Sequence, residues 1–149
     1  MKQEKRKTII YTDGGSRGNP GPSAIGVVFQ DEKGNTIKTY GEHIGRRTNN
    51  EAEYEAVIFA LKKAKQIFGK DKTKEMHVEI RMDSELIARQ LGGRYKIEEE
   101  RLFPLFIKVH NLEFVFGSVS YVHLVREKNK EADRLVNRAL DAGEQDTLL

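Results

Sequence analysis

The stretch Thr8-Ile-Ile-Tyr-Thr-Asp-Gly-Gly-Ser-Arg-Gly-Asn-Pro-Gly21 constrains this chain more than any other. Ile9, Ile10 and Tyr11 are β-branched or aromatic, as a buried strand requires. Asp13 follows that apolar run, and Gly14, Gly15, Gly18, Asn19, Pro20 and Gly21 follow Asp13. A carboxylate at the mouth of a central strand, beside a glycine-rich loop, stands where a metal or a phosphate can approach the backbone. The same residues also make an ordinary turn. The rest of the chain has to decide between the two.

The pattern after this stretch predicts two further strands, 24–30 and 36–44, separated by a turn at Lys33-Gly34-Asn35. Together with the first they form an antiparallel meander. Asn49 and Asn50, with Thr48 just before them, offer capping side chains for a helix to Phe68. Its apolar stripe is Val57, Ala60, Leu61, Ala64 and Phe68, and Gly69 closes it. A fourth strand is expected over 76–82 and a short helix from Asp83-Ser84 to Leu91. Helix is expected again over 97–112, with Pro104 tolerated in a first turn. A fifth strand reads from Ser118 to Val125 and a last helix from Glu127 to Ala142, stopped by Gly143. The order implies an α/β fold with a five-stranded mixed sheet, a three-strand antiparallel meander plus two parallel strands, flanked by helices.

The chain has 149 residues, enough for one domain with a full core. We expect that domain over 7–143, with a basic, disordered tail over 1–6 and a frayed end over 144–149. Without cysteine, disulfides and thiolate metal sites are excluded. No apolar run approaches the roughly 18 residues of a membrane span, and the start lacks a secretory pattern. A cytoplasmic protein without membrane contact is therefore expected. The net charge of +3 resides in the first seven residues, so the remainder sums to zero. Any nucleic acid must be held by placed groups or by metal ions, not by a general positive field.

Four acids stand where surface duty explains them poorly. Asp13 and Asp83 end strands, and Glu53 and Asp133 fall in helical first turns in line with apolar stripes. Asp83 could instead cap its helix, and Glu53 and Asp133 could simply favour a helix N-terminus. If the first and fourth strands are neighbours, their ends bring Asp13 and Asp83 together, and two helix starts add the others. Four clustered carboxylates repel one another unless cations neutralise them. An oxygen-only donor set favours Mg²⁺ or Mn²⁺, and two such ions perform phosphoryl transfer.

The motifs Asp13-Gly-Gly-Ser-Arg-Gly-Asn-Pro-Gly-Pro22, Thr48-Asn-Asn-Glu-Ala-Glu53-Tyr, Met82-Asp83-Ser84 and Arg126-Glu-Lys-Asn-Lys-Glu-Ala-Asp133-Arg-Leu, in this order, resemble type I ribonuclease H over about residues 7–142. The resemblance implies the ribonuclease H-like fold and hydrolysis of the RNA strand of RNA–DNA hybrids, leaving 5′-phosphate and 3′-hydroxyl ends. It implies that Asp13, Glu53, Asp83 and Asp133 hold two Mg²⁺, or Mn²⁺, with Asp13 shared. Gly14, Gly15, Asn19, Asn49 and Asn50 match positions that contact the hybrid, partly through 2′-hydroxyls. Ser84 adjoins them, and Thr48 with its helix start resembles a pocket for a DNA-strand phosphate. The family's basic handle is missing, because the stretch 92–112 is short and carries Glu98-Glu99-Glu100. For the family's mobile catalytic histidine, an ungapped count reaches His123, inside an apparent strand, and a shorter loop reaches Arg126. We expect Arg126 as the auxiliary group, with His123 the alternative. A monomer needing no protein partner is expected. A silent hybrid-binding module would not need the repulsive acids, and a P-loop enzyme would need a Gly-Lys-Ser/Thr ending that is absent.

Overall fold

The structure is a computed structural model that describes the backbone over residues 6–148 and the side chains over residues 6–144. It comprises strands β1 (Arg6–Ser16), β2 (Gly21–Gln30), β3 (Thr36–Arg47), β4 (Met76–Met82) and β5 (Ser118–His123). Helices are α1 (Asn49–Phe68), α2 (Lys70–Thr73), α3 (Glu85–Leu91), α4 (Phe103–Glu113) and α5 (Lys130–Leu148). Two 3₁₀ turns cover Glu100–Leu102 and Arg126–Lys128. Among the described residues no helix is long and apolar enough to cross a membrane.

The five strands form one mixed sheet in the order β3-β2-β1-β4-β5, with the expected antiparallel meander and two parallel strands. β1 pairs antiparallel with β2 and parallel with β4, and β4 pairs parallel with β5. The alternation of β4 explains its place: Met76, Val78, Ile80 and Met82 are buried, and the residues between them are not. The buried face packs on α1 through Val57, Leu61 and Ala64, together with Ile10, Val27 and Phe29. Each of these side chains larger than alanine contributes about 1.5–3 kcal/mol on burial, so this layer dominates folding. The opposite face holds α5 by a narrower seam. Ala132, Leu135, Val136 and Leu140 meet Ala24 and Val28 of β2.

Several boundaries differ from the sequence expectation. β1 runs on through Gly14 and Gly15, which pair with Ile25 and Ala24, so these glycines are strand residues. Thr48, not an asparagine, caps α1. The helix expected over 97–112 is a coil, a 3₁₀ turn and then α4, with Pro104 in its first turn. β5 ends at His123, and α5 begins only at Lys130, after the turn at Arg126. The four-residue α2 was not anticipated.

At the far end, α5 passes through Gly143 to Leu148, in place of a stop and a frayed segment. A Cβ at Gly143 would lie 2.8 Å from the His43 ring, so this glycine serves close helix–strand approach. Arg17 also pins the helix there, binding Asp141 at 2.8 Å and Glu144 at 2.7 Å. The tail expected over 1–6 lies outside the described residues except for Arg6, which opens β1.

Gly14 sets how near α1 comes to β1. A Cβ there would collide with the Ala52 carbonyl and the Glu53 nitrogen. Neither is a flexible side chain, so the helix start must move. Gly14→Ala is expected to cost about 1–3 kcal/mol in urea unfolding, the range for overpacking a tight core. A loss below about 0.5 kcal/mol would show that α1 yields easily.

Candidate active site

Three carboxylates meet at one end of the sheet. Oxygens of Asp13, Glu53 and Asp83 all lie within 4.8 Å of one another. The parallel pairing of β1 with β4 runs as far as Tyr11 opposite Arg81, so both strands deliver their acids just beyond the same level. Glu53 arrives from the second turn of α1, one turn later than expected because the first-turn acid is Glu51 of the capping box, and the Gly14 N–H donates to its carboxylate. Asp133, from the first turn of α5, stands against Asp13 and acts electrostatically on both Asp13 and Asp83. Three of the four acids singled out in the sequence therefore meet, and the fourth, Asp133, is near enough to act on Asp13 and Asp83.

The electrostatics are those of crowded, desolvated acids. Asp13 is only 6% exposed. Burial, followed by the charges of Asp83 and Asp133, pushes its carboxyl up to about 8. Burial and then Asp13 hold Glu53 well above the ordinary carboxylate range. Burial also raises Asp83, against the opposing charge of Arg126. Glu53 Oε2 is buried with no hydrogen-bond partner in the protein.

These observations fit a divalent cation. Oxygens on opposite sides of a magnesium-sized ion lie about 4.2 Å apart, so oxygens within 4.8 Å of one another are near enough to share one ion. An ion would supply the missing partner of Glu53 and offset the repulsion. Asp13, Glu53 and Asp83 could hold it, with Asp133 alongside.

Two cationic candidates adjoin Asp83. Arg126 Nε lies 4.0 Å from Asp83 Oδ2, and its side chain is 82% exposed. His123 is the last residue of β5, paired with Met82, and is also exposed. Ser84, not Asp83, caps α3: its hydroxyl accepts the Ile87 N–H at 3.3 Å. The capping alternative for Asp83 is thereby removed.

The residues expected to meet the hybrid are largely engaged with one another. Thr48 and Glu51 form a reciprocal capping box, with Thr48 N–H donating to Glu51 Oε1 at 2.9 Å and Glu51 N–H to Thr48 Oγ1 at 3.2 Å. Thr48 is buried, so its hydroxyl serves the helix start. Asn49 Oδ1 accepts the Ser16 N–H at 2.9 Å, and Asn49 N–H donates to Asn19 Oδ1 at 3.0 Å. Asn50 is half-buried in the same turn. Gly14 is buried, and Gly15 packs toward Val136. Sequence reasoning overlooked Asn129, which donates from Nδ2 to the Thr12 carbonyl at 3.0 Å. Its setting in a charged run reads as solvated surface, and no local signal in the sequence marks it otherwise.

Comparison with known proteins agrees with this geometry. Residues 11–139 match the family described as reverse transcriptase-like. The Ribonuclease HI of Halobacterium salinarum is 41% identical over 131 residues, covering 88% of this chain and 63% of that protein. LC11-RNase H1, isolated from compost by a metagenomic approach, is 51% identical with a TM-score of 0.87, over 93% of this chain and 98% of that one. The same LC11 protein in complex with an RNA/DNA hybrid is 50% identical with a TM-score of 0.87, over 91% and 98% of the two chains. The chain spans 37% of the length of a longer relative, the bifunctional protein Rv2228c of Mycobacterium tuberculosis. The chain belongs to the type I ribonuclease H family. It has the compact form: the segment between α3 and α4 is short and, among the described residues, carries no additional helix in place of the basic handle.

The raised Asp13 has a consequence for stability. Between the ordinary carboxylate value and about 8, the folded state keeps a proton that the unfolded chain releases. Stability of the metal-free protein therefore falls as pH rises through that window. Asp13→Asn is expected to melt above the wild type in EDTA at pH 8, with the gap closing near pH 4. An equal gap at both pH values would contradict the assignment.

Proposed function

We propose that this chain is a metal-dependent endoribonuclease that cuts the RNA strand of RNA–DNA hybrids. The convergence of Asp13, Glu53 and Asp83, with one buried carboxylate oxygen unpartnered, carries this reading. The hybrid bound by the half-identical LC11 protein supports the choice of substrate. The activity is that of a single domain over residues 7–143, acting as a monomer in the cytoplasm without a protein partner.

Two Mg²⁺ or Mn²⁺ ions held by the four acids would activate a water and neutralise the departing 3′-oxygen, giving 5′-phosphate and 3′-hydroxyl ends. Asp13 interacts with Glu53, Asp83 and Asp133 alike, and would be the shared ligand. The chain's own groups do the rest. Arg126, solvent-facing beside Asp83, would bind a non-bridging phosphate oxygen. A guanidinium does not release a proton near neutral pH, so Arg126 orients and stabilises but does not shuttle. His123, at the end of β5, is the alternative for that auxiliary place.

Recognition follows from the interlocked asparagines. Asn19 and Asn49 each spend the side-chain oxygen on a backbone N–H. Their NH₂ groups are thereby fixed as donors for acceptors on the hybrid, including ribose 2′-hydroxyls. The backbone at Gly14 and Gly15 and the starts of α1 and α3, at Thr48, Asn50 and Ser84, complete the contact surface.

Cleavage of an end-labelled RNA–DNA hybrid with Mg²⁺ or Mn²⁺, beside a DNA duplex of the same sequence, tests this reading. Cutting confined to the RNA strand, abolished by EDTA, is expected. Asp13→Asn should lower kcat by more than about 100-fold, since even outer-shell losses at metal sites cost 10–100-fold. Arg126→Ala should lower kcat, while His123→Ala leaves the rate and its pH profile unchanged. Tight hybrid binding without cutting in either metal would remove the nuclease reading. Equal cutting of the DNA duplex would make the protein a general nuclease.

A further inference from the structure

Asn129 has no part in the chemistry assigned above, yet its environment is unlike that of its neighbours. It is 1% exposed, while Glu127, Lys128, Lys130 and Glu131 around it are all exposed. Three hydrogen bonds radiate from it. The side chain donates from Nδ2 to the Thr12 carbonyl at 3.0 Å, across 117 positions of sequence. The backbone N–H donates to the Arg126 carbonyl at 2.9 Å, closing the turn that carries Arg126. The backbone carbonyl accepts the Asp133 N–H at 3.1 Å, opening the helix that carries Asp133.

One residue is therefore tied to the strand just before Asp13, to the turn holding Arg126 and to the turn holding Asp133. The strand link falls where the pairing of β1 with β4 gives out. β1 and β4 stay in register up to Tyr11 and Arg81, and the next carbonyl, Thr12, is taken by Asn129. Asn129 Oδ1 is buried without a protein partner. An alanine or leucine at this place would avoid that desolvation, so the donated bond to Thr12 is what the amide contributes. An aspartate would turn a second carbonyl-like oxygen toward Thr12 and add charge beside Asp13.

We propose that Asn129 is a positioning residue, which fixes Asp133 and Arg126 relative to Asp13 and so sets the ion-binding geometry. The inference rests on the proposed nuclease reading. Side chains standing behind metal ligands govern affinity because they fix the ligands' orientation, with typical losses of 10–100-fold on removal.

The test compares Asn129→Ala with Leu140→Ala. Leu140 is buried in the same helix, two turns beyond Asp133, and its loss loosens α5 without touching the site. Three quantities are measured for each: the dissociation constant for Mn²⁺ by calorimetry without nucleic acid, kcat and KM on a labelled hybrid, and Tm. Asn129→Ala should weaken Mn²⁺ binding and lower kcat, each by about 10-fold or more, with KM within about twofold of the wild type. Leu140→Ala should lower Tm while leaving Mn²⁺ affinity and kcat unchanged well below its melting point. Wild-type Mn²⁺ affinity and kcat in Asn129→Ala, or equal losses in Leu140→Ala, would overturn the proposal.

If Asn129→Ala does not fold, Asn129→Leu keeps most of the volume without the donor or an added charge and should show the same losses. In the wild type, one Asn129 side-chain amide proton should be protected from hydrogen exchange; exchange at the free rate of both protons would also overturn the proposal. The metal titration is read without hybrid. A wild type that binds Mn²⁺ but cuts nothing would therefore sink the nuclease reading and leave the Asn129 comparison to stand on its own result.

Discussion

Mutual repulsion among desolvated carboxylates is the constraint around which the molecule is built. Asp13, Glu53 and Asp83 are held within 4.8 Å, and burial raises the proton affinity of each. Left to themselves these side chains would rotate into solvent. They stay because each is attached to an element whose position is set by apolar packing elsewhere. The α1 layer, from Ile10 and Phe29 to Leu61 and Ile80, supplies the free energy that keeps the acids together. The site thus stores a local instability that the core offsets, as expected of a centre preorganised for a cation.

The restraints on the acids are graded. β1 and β4 are central strands of one sheet, so Asp13 and Asp83 are fixed most firmly. Glu53 depends on how closely α1 approaches β1, which the bare backbone of Gly14 permits and the capping box at Thr48 and Glu51 secures. Asp133 sits on α5, whose seam against β2 is narrow. It is at this weaker end that extra polar fastening appears, in Asn129 at the start of the helix and in Arg17 near its end. Polar ties supplement the structure where apolar area runs short.

This grading also explains what could be read from the chain directly. β4 was legible because alternation of Met76, Val78, Ile80 and Met82 is local and strict. The four acids were legible because each follows an apolar segment or opens an apolar helix. Gly143 was misread as a helix stop because its reason is the His43 ring, a contact between distant segments. The extension of β1 through Gly14 and Gly15 was missed for a similar reason: pairing with β2 overrides the weak strand preference of glycine. Asn129 looks like one more polar residue in a charged run, and only the fold reveals that Thr12 lies above it. Local periodicity is written in the sequence, whereas a tie across 117 positions is not.

Charge completes the account. Beyond the first seven residues the chain is electrically balanced, and the clustered acids make their end of the sheet locally negative once they ionise. A phosphodiester approaching that end meets repulsion until cations occupy it. Ion binding and substrate binding at the proposed site must then be linked. Cations lower the cost of bringing in the phosphate, and by reciprocity a bound phosphate raises the affinity for cations. Arg126 belongs to the same balance, because its exposed guanidinium partly offsets Asp83 before any ion arrives. On the proposed function, a compact chain without a basic handle would in this way gather part of its hold on a polyanion at the acidic cluster itself.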